Sequence, residues 1–362
     1  MKKIAIASTL KPVDDVRAFE KIAQSIAKTN KYEVNIIGNS GKKESNHPGI
    51  RFYPHFVKKR SFISRWFIRE KALLTLFKIK PRILIITTHE LINTSLLLKL
   101  LTGCKVIYDV QENYERNLGS ISNYPLSNLA GKLIRLKERF SRLFVSQYWL
   151  AEKCYLDELP FSKSKSIVIE NKAKSEPAVM TKEGQFNVLF SGTISNYSQP
   201  IQAIHLYEKI AKIIPDSTLT IIGQCHDKSL AKTLAKHTDK NARIKLIISE
   251  HPISHQDIIS RIFDSDLGII SYQENDAIRN KVPTKLYEYS RYKLPYLIQT
   301  GTSWEVKSRE LGGAIPINFS NPNLNFIIKQ LKKTEQLHLH HYPKEETWES
   351  LEEVIITSLN KL

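Results

Sequence analysis

Cysteine is scarce in this chain. Only Cys104, Cys154 and Cys225 occur in 362 residues, far apart in the sequence. That spacing makes neither a disulfide framework nor a zinc site, and it fits a reducing compartment. Long apolar runs are missing as well: no stretch approaches the roughly 18 residues of a membrane span. The opening MKKIAIASTLKPVDD has too short an apolar run for a signal peptide, and acids follow at once, so it reads as a buried first strand. No internal repeat and no low-complexity segment is present. Acidic residues are in deficit, 36 Asp and Glu against 54 Lys and Arg, which leaves a net charge of +18. Such an excess implies an anionic partner: nucleic acid, a phosphorylated substrate or an acidic membrane surface. The remaining composition, 41% hydrophobic and 25% charged, is that of a globular protein long enough for two cores.

Strand-like and helix-like patterns alternate along the chain. KIAIAS (3–8), YEVNIIG (32–38), RILIITT (82–88), KVIYDV (105–110), RLFVSQ (142–147) and SIVIEN (166–171) read as strands. Val16, Phe19, Ile22, Ala23, Ile26 and Ala27 recur at helical spacing between the first two. A polar stretch at 173–185 interrupts the pattern and reads as a linker. Strands then resume at 186–193, 217–223, 243–249, 266–272 and 294–300, separated by helical segments near 200–215, 227–237, 255–263 and 283–291. Alternation of this kind predicts parallel sheets covered on both faces. The expected architecture is α/β: two Rossmann-like, doubly wound parallel-sheet domains facing across a cleft. The expected divisions are 1–172, 186–344 and a closing amphipathic helix, 345–362, that crosses back to the first domain.

One helix opens against the usual charge preference. In NKVPTKLYEY (280–289), Pro283 suits the first helical position, where its missing N–H costs nothing. Lys281 and Lys285 flank that start, although a cation there opposes the helix dipole by about 0.3–1 kcal/mol. A bound anion compensates such a placement, and backbone N–H groups plus a lysine suit a phosphate. Glu288 lies three residues beyond Lys285 on the same face and suits sugar hydroxyls next to that phosphate. On spacing alone, a solvated helix start with an ordinary Lys–Glu pair explains the pattern equally well.

VPTKLYEY followed by LP resembles the donor-binding segment of retaining GT-B glycosyltransferases of family 4, the group 1 glycosyl transferases. The resemblance implies that Glu288 holds the ribose of a nucleoside-diphosphate sugar, a co-substrate rather than a cofactor. It places Asn280, Lys281, Pro283, Thr284 and Lys285 near the sugar and the diphosphate. Asn280 stands where the family often has glutamate. FSGTIS (190–195) is similar to the glycine turn that faces the phosphates, here Gly192 and Thr193, without the basic residues usual after it. YDVQENY (108–114) is similar to a cleft-facing strand end. Gln111 replaces a customary histidine there, and Glu112 and Asn113 follow. His89, in ITTHEL, and Glu112 are the ionisable groups expected to face the cleft from the first domain. Asp15 and Arg17 open the first helix beside it. The catalytic set is thus expected to be His89, Gln111 and Glu112, and the acceptor side Asp15, Arg17 and Asn113.

The same resemblance implies a retaining, metal-independent transfer without an enzymic nucleophile. DSD (264–266) mimics a metal-binding Asp-x-Asp, but it closes a helix and starts a strand, so no metal site is assigned. Two runs are strongly basic: 51–82 holds ten Lys/Arg against one acid, and 132–144 holds five against one. Interleaved with aromatics, they suit an anionic membrane surface. No nucleic-acid motif accompanies them, and a solvated basic face remains the plain alternative. The leading expectation is a cytoplasmic enzyme, peripheral at the inner face of the plasma membrane, that moves a sugar to a surface glycan or polyprenyl-linked acceptor. A sugar-nucleotide epimerase of the same fold and a non-catalytic polyanion or membrane binder are the alternatives.

Overall fold

The computed structural model describes residues 1–39, 47–55, 62–121, 126–175, 184–276 and 278–362, without the side chains of 62–66, 120 and 121. Most of the expected linker and part of the basic run 51–82 lie outside the described residues. The chain divides into two compact units, Met1–Asn171 with Trp348–Leu362, and Lys172–Thr347.

The first unit is built on β1 (Lys2–Pro12), β2 (Tyr32–Asn39), β3 (Ile50–His55), β4 (Ile83–Ile86), β5 (Lys105–Val110), β6 (Gln147–Leu150) and β7 (Ser166–Val168). They form one parallel sheet ordered β3-β2-β1-β4-β5-β6-β7. The second unit carries β8 (Asn187–Thr193), β9 (Thr218–Gln224), β10 (Ile244–Ser249), β11 (Leu267–Ile270), β12 (Tyr296–Gln299) and β13 (Ala314–Ile317), also all parallel. Its order is β10-β9-β8-β11-β12-β13. In both sheets the strand order reverses once, between β1 and β4 and between β8 and β11. The carboxyl ends of strands beside such a reversal are where doubly wound sheets bind ligands.

The central strands are apolar on both faces because helices cover both faces. ILII at 83–86 and LGII at 267–270 are completely buried, and Ile, Val and Leu supply the β-branched and compact side chains such layers need. The last helix, Glu349–Asn360, belongs to the first unit. Trp348, Leu351, Ile355 and Leu359 pack into the same core as Ile22, Ile26 and Trp149.

Three readings of the sequence need correction. The strand expected at 142–147 begins at Gln147, because Arg142 to Phe144 finish a helix (Ser127–Ser141) and its terminal turn. Tyr148 and Trp149, both fully buried, form the strand instead. β3 lies within the run read as basic surface, and β13 went unread. Pro283 is not the first helical residue: its ψ of 128° keeps it extended, as the cap before Thr284.

A polar network is buried in the first unit. Arg135 donates to Glu138 at 3.2 Å, to Glu115 at 2.8 Å and to Asn113 at 2.6 Å. The Tyr108 hydroxyl donates to Glu138 at 2.9 Å. Burial outweighs Arg135 and pushes the Glu138 carboxyl up from 4.5 to about 7. Between those values the folded protein keeps a proton that the unfolded chain has released, so this group's stabilisation is lost as pH rises through about 7. Glu138→Gln removes the titration and keeps an acceptor for Tyr108. Urea midpoints of wild type and variant are expected to converge, or cross in the variant's favour, between about pH 5 and pH 7.5. A constant difference across that range would remove Glu138 as the source.

Candidate functional site

The reversal in the second sheet brings together the residues singled out in the sequence. β8 ends at Gly192 and Thr193, and the helix Thr284–Arg291 follows β11. This helix begins without any side-chain cap on its first N–H groups. It is unusually buried for its polarity: Lys285 and Glu288 are 6% and 7% exposed.

Lys285 lies along Gly192. A Cβ at position 192 would stand 2.6 Å from Lys285 Cε and 3.2 Å from Nζ. Gly192 also has φ of +99°, a backbone that side chains other than glycine rarely adopt. The strand beneath is coupled to it. Gly192 pairs with Gly223 on β9, and a Cβ at 223 would fall 1.6 Å from the Gly192 carbonyl oxygen. The Lys285 ammonium sits 5.0 Å from the ring centroids of both Phe190 and Tyr272. Two aromatic faces make a buried cation tolerable without a carboxylate. Among the described residues Lys285 has no carboxylate partner, so its charge is available to an anion.

Glu288 points elsewhere on the helix. Its Oε1 meets Nε2 of His255 at 3.0 Å, at the first residue of the helix His255–Phe263. Among the described residues its second oxygen accepts no hydrogen bond. His255 fixes the carboxylate and leaves one oxygen for a hydroxyl. The turn before the helix is braced by Trp304, whose indole N–H donates to the Lys281 carbonyl at 2.5 Å. Ser303 donates to the Arg279 carbonyl in the same turn. Asn280 is exposed there and Thr284 is half-buried. Tyr289 holds the helix to β8, its hydroxyl 2.8 Å from Ser191 Oγ, and burial pushes its phenol far up.

The carboxylate of Asp266 is engaged structurally: Oδ2 accepts from the Asn187 backbone N–H at 2.8 Å, tying β8 to β11. Asp266 therefore has a structural role just before β11, and Asp264 ends the preceding helix.

In the first unit the corresponding strand ends carry a second polar group of residues. Arg17 grips Asp109 with two nitrogens, at 2.6 and 3.0 Å, and both residues are buried. Gln111 Nε2 donates to Asp109 Oδ2 at 2.8 Å, the oxygen that Arg17 Nε also reaches. Glu112 accepts from Asn117 at 2.5 Å. Asn113 is buried between Arg135 and Glu158. Asp15 accepts from the Ala18 N–H and starts the first helix. His89 stacks edge-on against Tyr114 at 4.5 Å, next to Glu90, which accepts from Thr9. Of the residues expected on the acceptor side, Arg17 and Asn113 also brace the end of β5 and the loop after it, which carries Gln111 and Glu112, and Asp15 caps the first helix.

His255, Tyr272, Phe190 and Gly223 were not foreseen. Gly223 had a signal, a glycine ending an apolar strand. His255 had none, because its partner lies 33 positions away.

No family model matches the chain, and no curated protein matches it. Solved structures do. HepE of Anabaena, crystallised with UDP-glucose, aligns over 100% of both chains at 11% identity with a TM-score of 0.65. Sucrose-phosphate synthase from Thermosynechococcus elongatus aligns over 100% of this chain and 99% of its own, at 10% identity and a TM-score of 0.67. A putative UDP-N-acetylglucosamine 2-epimerase from Listeria monocytogenes aligns over 100% of this chain and 96% of its own, at 11% identity and a TM-score of 0.62. At these identities the likeness is one of fold: two Rossmann-like units of the GT-B class.

The crowding at the glycine pair is measurable. Gly301 also has positive φ, +77°, but open space around it, so Gly301→Ala isolates backbone strain at about 1–2 kcal/mol. Gly192→Ala adds a collision with the far end of the Lys285 side chain, which can swing aside, and is expected to cost only slightly more. Gly223→Ala, against backbone, is expected to be worse still. Urea denaturation of the three variants gives the order, and an equal loss at all three sites would contradict it.

Proposed function

We propose that this protein is a glycosyltransferase that takes a sugar from a nucleoside-diphosphate donor, UDP- or GDP-linked. The observation that carries this reading is the meeting of Lys285 with Gly192, with Glu288 one turn further along the same uncapped helix. Gly192 lets Lys285 reach the strand end beside Thr193, where the diphosphate docks. The uncapped N–H groups and Lys285 supply positive charge where the leaving diphosphate gains negative charge. Glu288, steadied by His255, accepts from ribose hydroxyls. Asn280, Lys281, Pro283 and Thr284 form the turn beside the sugar. The neighbours crystallised with UDP-glucose or named as sugar-phosphate synthases support a nucleotide-sugar donor.

The finer reading is a hexosyltransferase of family 4 type, retaining and metal-independent, in polysaccharide biosynthesis. Its charge stabilisation comes from the helix terminus and Lys285, and its acceptor is a surface glycan or a polyprenyl-linked sugar. Gln111, Glu112 and His89 are its candidates for substrate contact in the first unit. The basic runs 51–82 and 132–144 hold it to the cytoplasmic face of an anionic membrane. No described helix is long and apolar enough to cross one. The epimerase among the fold neighbours favours a second reading, conversion of the donor without any acceptor.

Saturation-transfer NMR with UDP, GDP and ADP tests the donor. One of them is expected to bind, and Glu288→Ala or Lys285→Ala to weaken it at least about tenfold, the scale of one hydrogen bond to a charged group. Binding by none, or binding indifferent to both changes, would end the donor assignment. Mass spectrometry of products from a nucleotide-sugar panel, with and without membrane extract, separates transfer from epimerisation.

A further inference from the structure

The helix Ser127–Ser141 is inside out. Its buried residues are Ser127, Gly131, Arg135, Glu138 and Ser141, polar or without a side chain. Its outward residues include Leu129, Leu133, Leu136 and Phe140, and Leu126 and Leu143 flank it. These six are 55–76% exposed. Their spacing of three and four residues puts the helical four in one stripe.

The inversion is locked in place. Gly131 lies against the backbone of Glu115, where a Cβ would be 3.1 Å from Glu115 Cα. Arg135 and Glu138 are tied to Asn113, Glu115 and Tyr108 on the inner side. Rotating the helix to bury its leucines would expose that network and push large side chains into a gap sized for glycine. An ionic inner face and an apolar outer face run against the usual distribution, unless the outer face is covered.

The apolar surface continues sideways. Lys99, on the helix Ile92–Thr102, donates to the Phe144 carbonyl at 2.7 Å, beside Leu143. That helix exposes Leu97, Leu100 and Leu101. Lys132, Arg139 and Arg142 are exposed along the stripe, and the helix's single carboxylate, Glu138, is inside.

We propose that this leucine stripe inserts into the headgroup–acyl boundary of an anionic lipid leaflet, with Lys132, Arg139 and Arg142 reaching the headgroups. Charge selects this occupant. A second copy set stripe to stripe would oppose basic residues with no exposed carboxylate on either helix to pair them. Apolar side chains rimmed by cations match a lipid surface, where the two terms add. The inference deepens the membrane part of the proposed function and rests on it. It differs from attraction by basic runs alone in predicting binding that survives salt, because screening weakens the cations and leaves leucine burial in place.

The full chain is mixed with vesicles rich in phosphatidylglycerol, with and without high salt, and binding is read by flotation. Wild type is expected to bind in both conditions. Leu133→Glu/Leu136→Glu, both on the outer face, is expected to lower binding at least about tenfold. Lys132→Gln/Arg139→Gln is expected to lower binding only at low salt. Leu136→Trp should show a blue-shifted emission on binding. Wild type failing to bind, the leucine variant binding as well as wild type, or an unshifted tryptophan would overturn the proposal. So would a dimer in solution that the leucine variant disrupts while vesicle binding persists. Circular dichroism and UDP, GDP and ADP binding of the same variants report fold and donor site separately, so loss of the lipid surface is not confused with loss of the donor reading.

Discussion

One contact organises the second unit: a lysine side chain laid flat against a glycine at the end of the central strand. Gly192 has room for Lys285 only because it lacks a Cβ, and Gly223 must lack one too so that the Gly192 carbonyl can sit where it does. The ammonium is then held between Phe190 and Tyr272. Burying a cation without a carboxylate is costly unless something repays it, and aromatic faces repay part. The rest is consistent with an anion that arrives from outside. The helix dipole, which alone would disfavour Lys285, then works with it.

The first unit spends its buried charge differently. Arg17 and Asp109 pair with one another, Gln111 shares the same carboxylate, and among the described residues Arg17 Nη1 is buried without a partner. Breaking such a pair leaves an uncompensated buried ion. Arg135 does the same work one layer further out, holding Asn113 and thereby the loop after β5. The candidate substrate residues Gln111 and Glu112 therefore sit on a loop braced from below by two buried arginines, and their orientation depends on groups remote from any substrate.

Much of the fold was legible because parallel strands buried on both faces write continuous apolar runs, and their alternation with helical spacing leaves few topologies. ILII and LGII needed no further information. The misreading near residue 142 has a physical source. RLFV is apolar enough for a strand, yet Phe144 and Val145 are core residues of the turn that closes a helix, while QYWL, with its polar start, is the strand. Lys285 and Glu288 were legible from three-residue spacing on one helix. His255 was not, because a single histidine carries no mark of a partner on another helix. The outward leucines of 126–143 were hidden by their neighbours: the arginines and lysines drew the eye to charge, and only burial shows that Arg135 and Glu138 are the inner face.

The return of the last helix has a consequence for how the protein is made. Trp348, Leu351, Ile355 and Leu359 complete a core whose other members are spread over the first 169 residues. The Trp348 indole donates to Ser25 at 2.9 Å, across 323 positions of chain. On the ribosome, the first unit therefore waits with an open core while the second unit is synthesised in full, and it closes only when the helix Glu349–Asn360 has left the exit tunnel. A chain lacking the helix Glu349–Asn360 would spare the second unit and leave the first, synthesised long before, without its final wall.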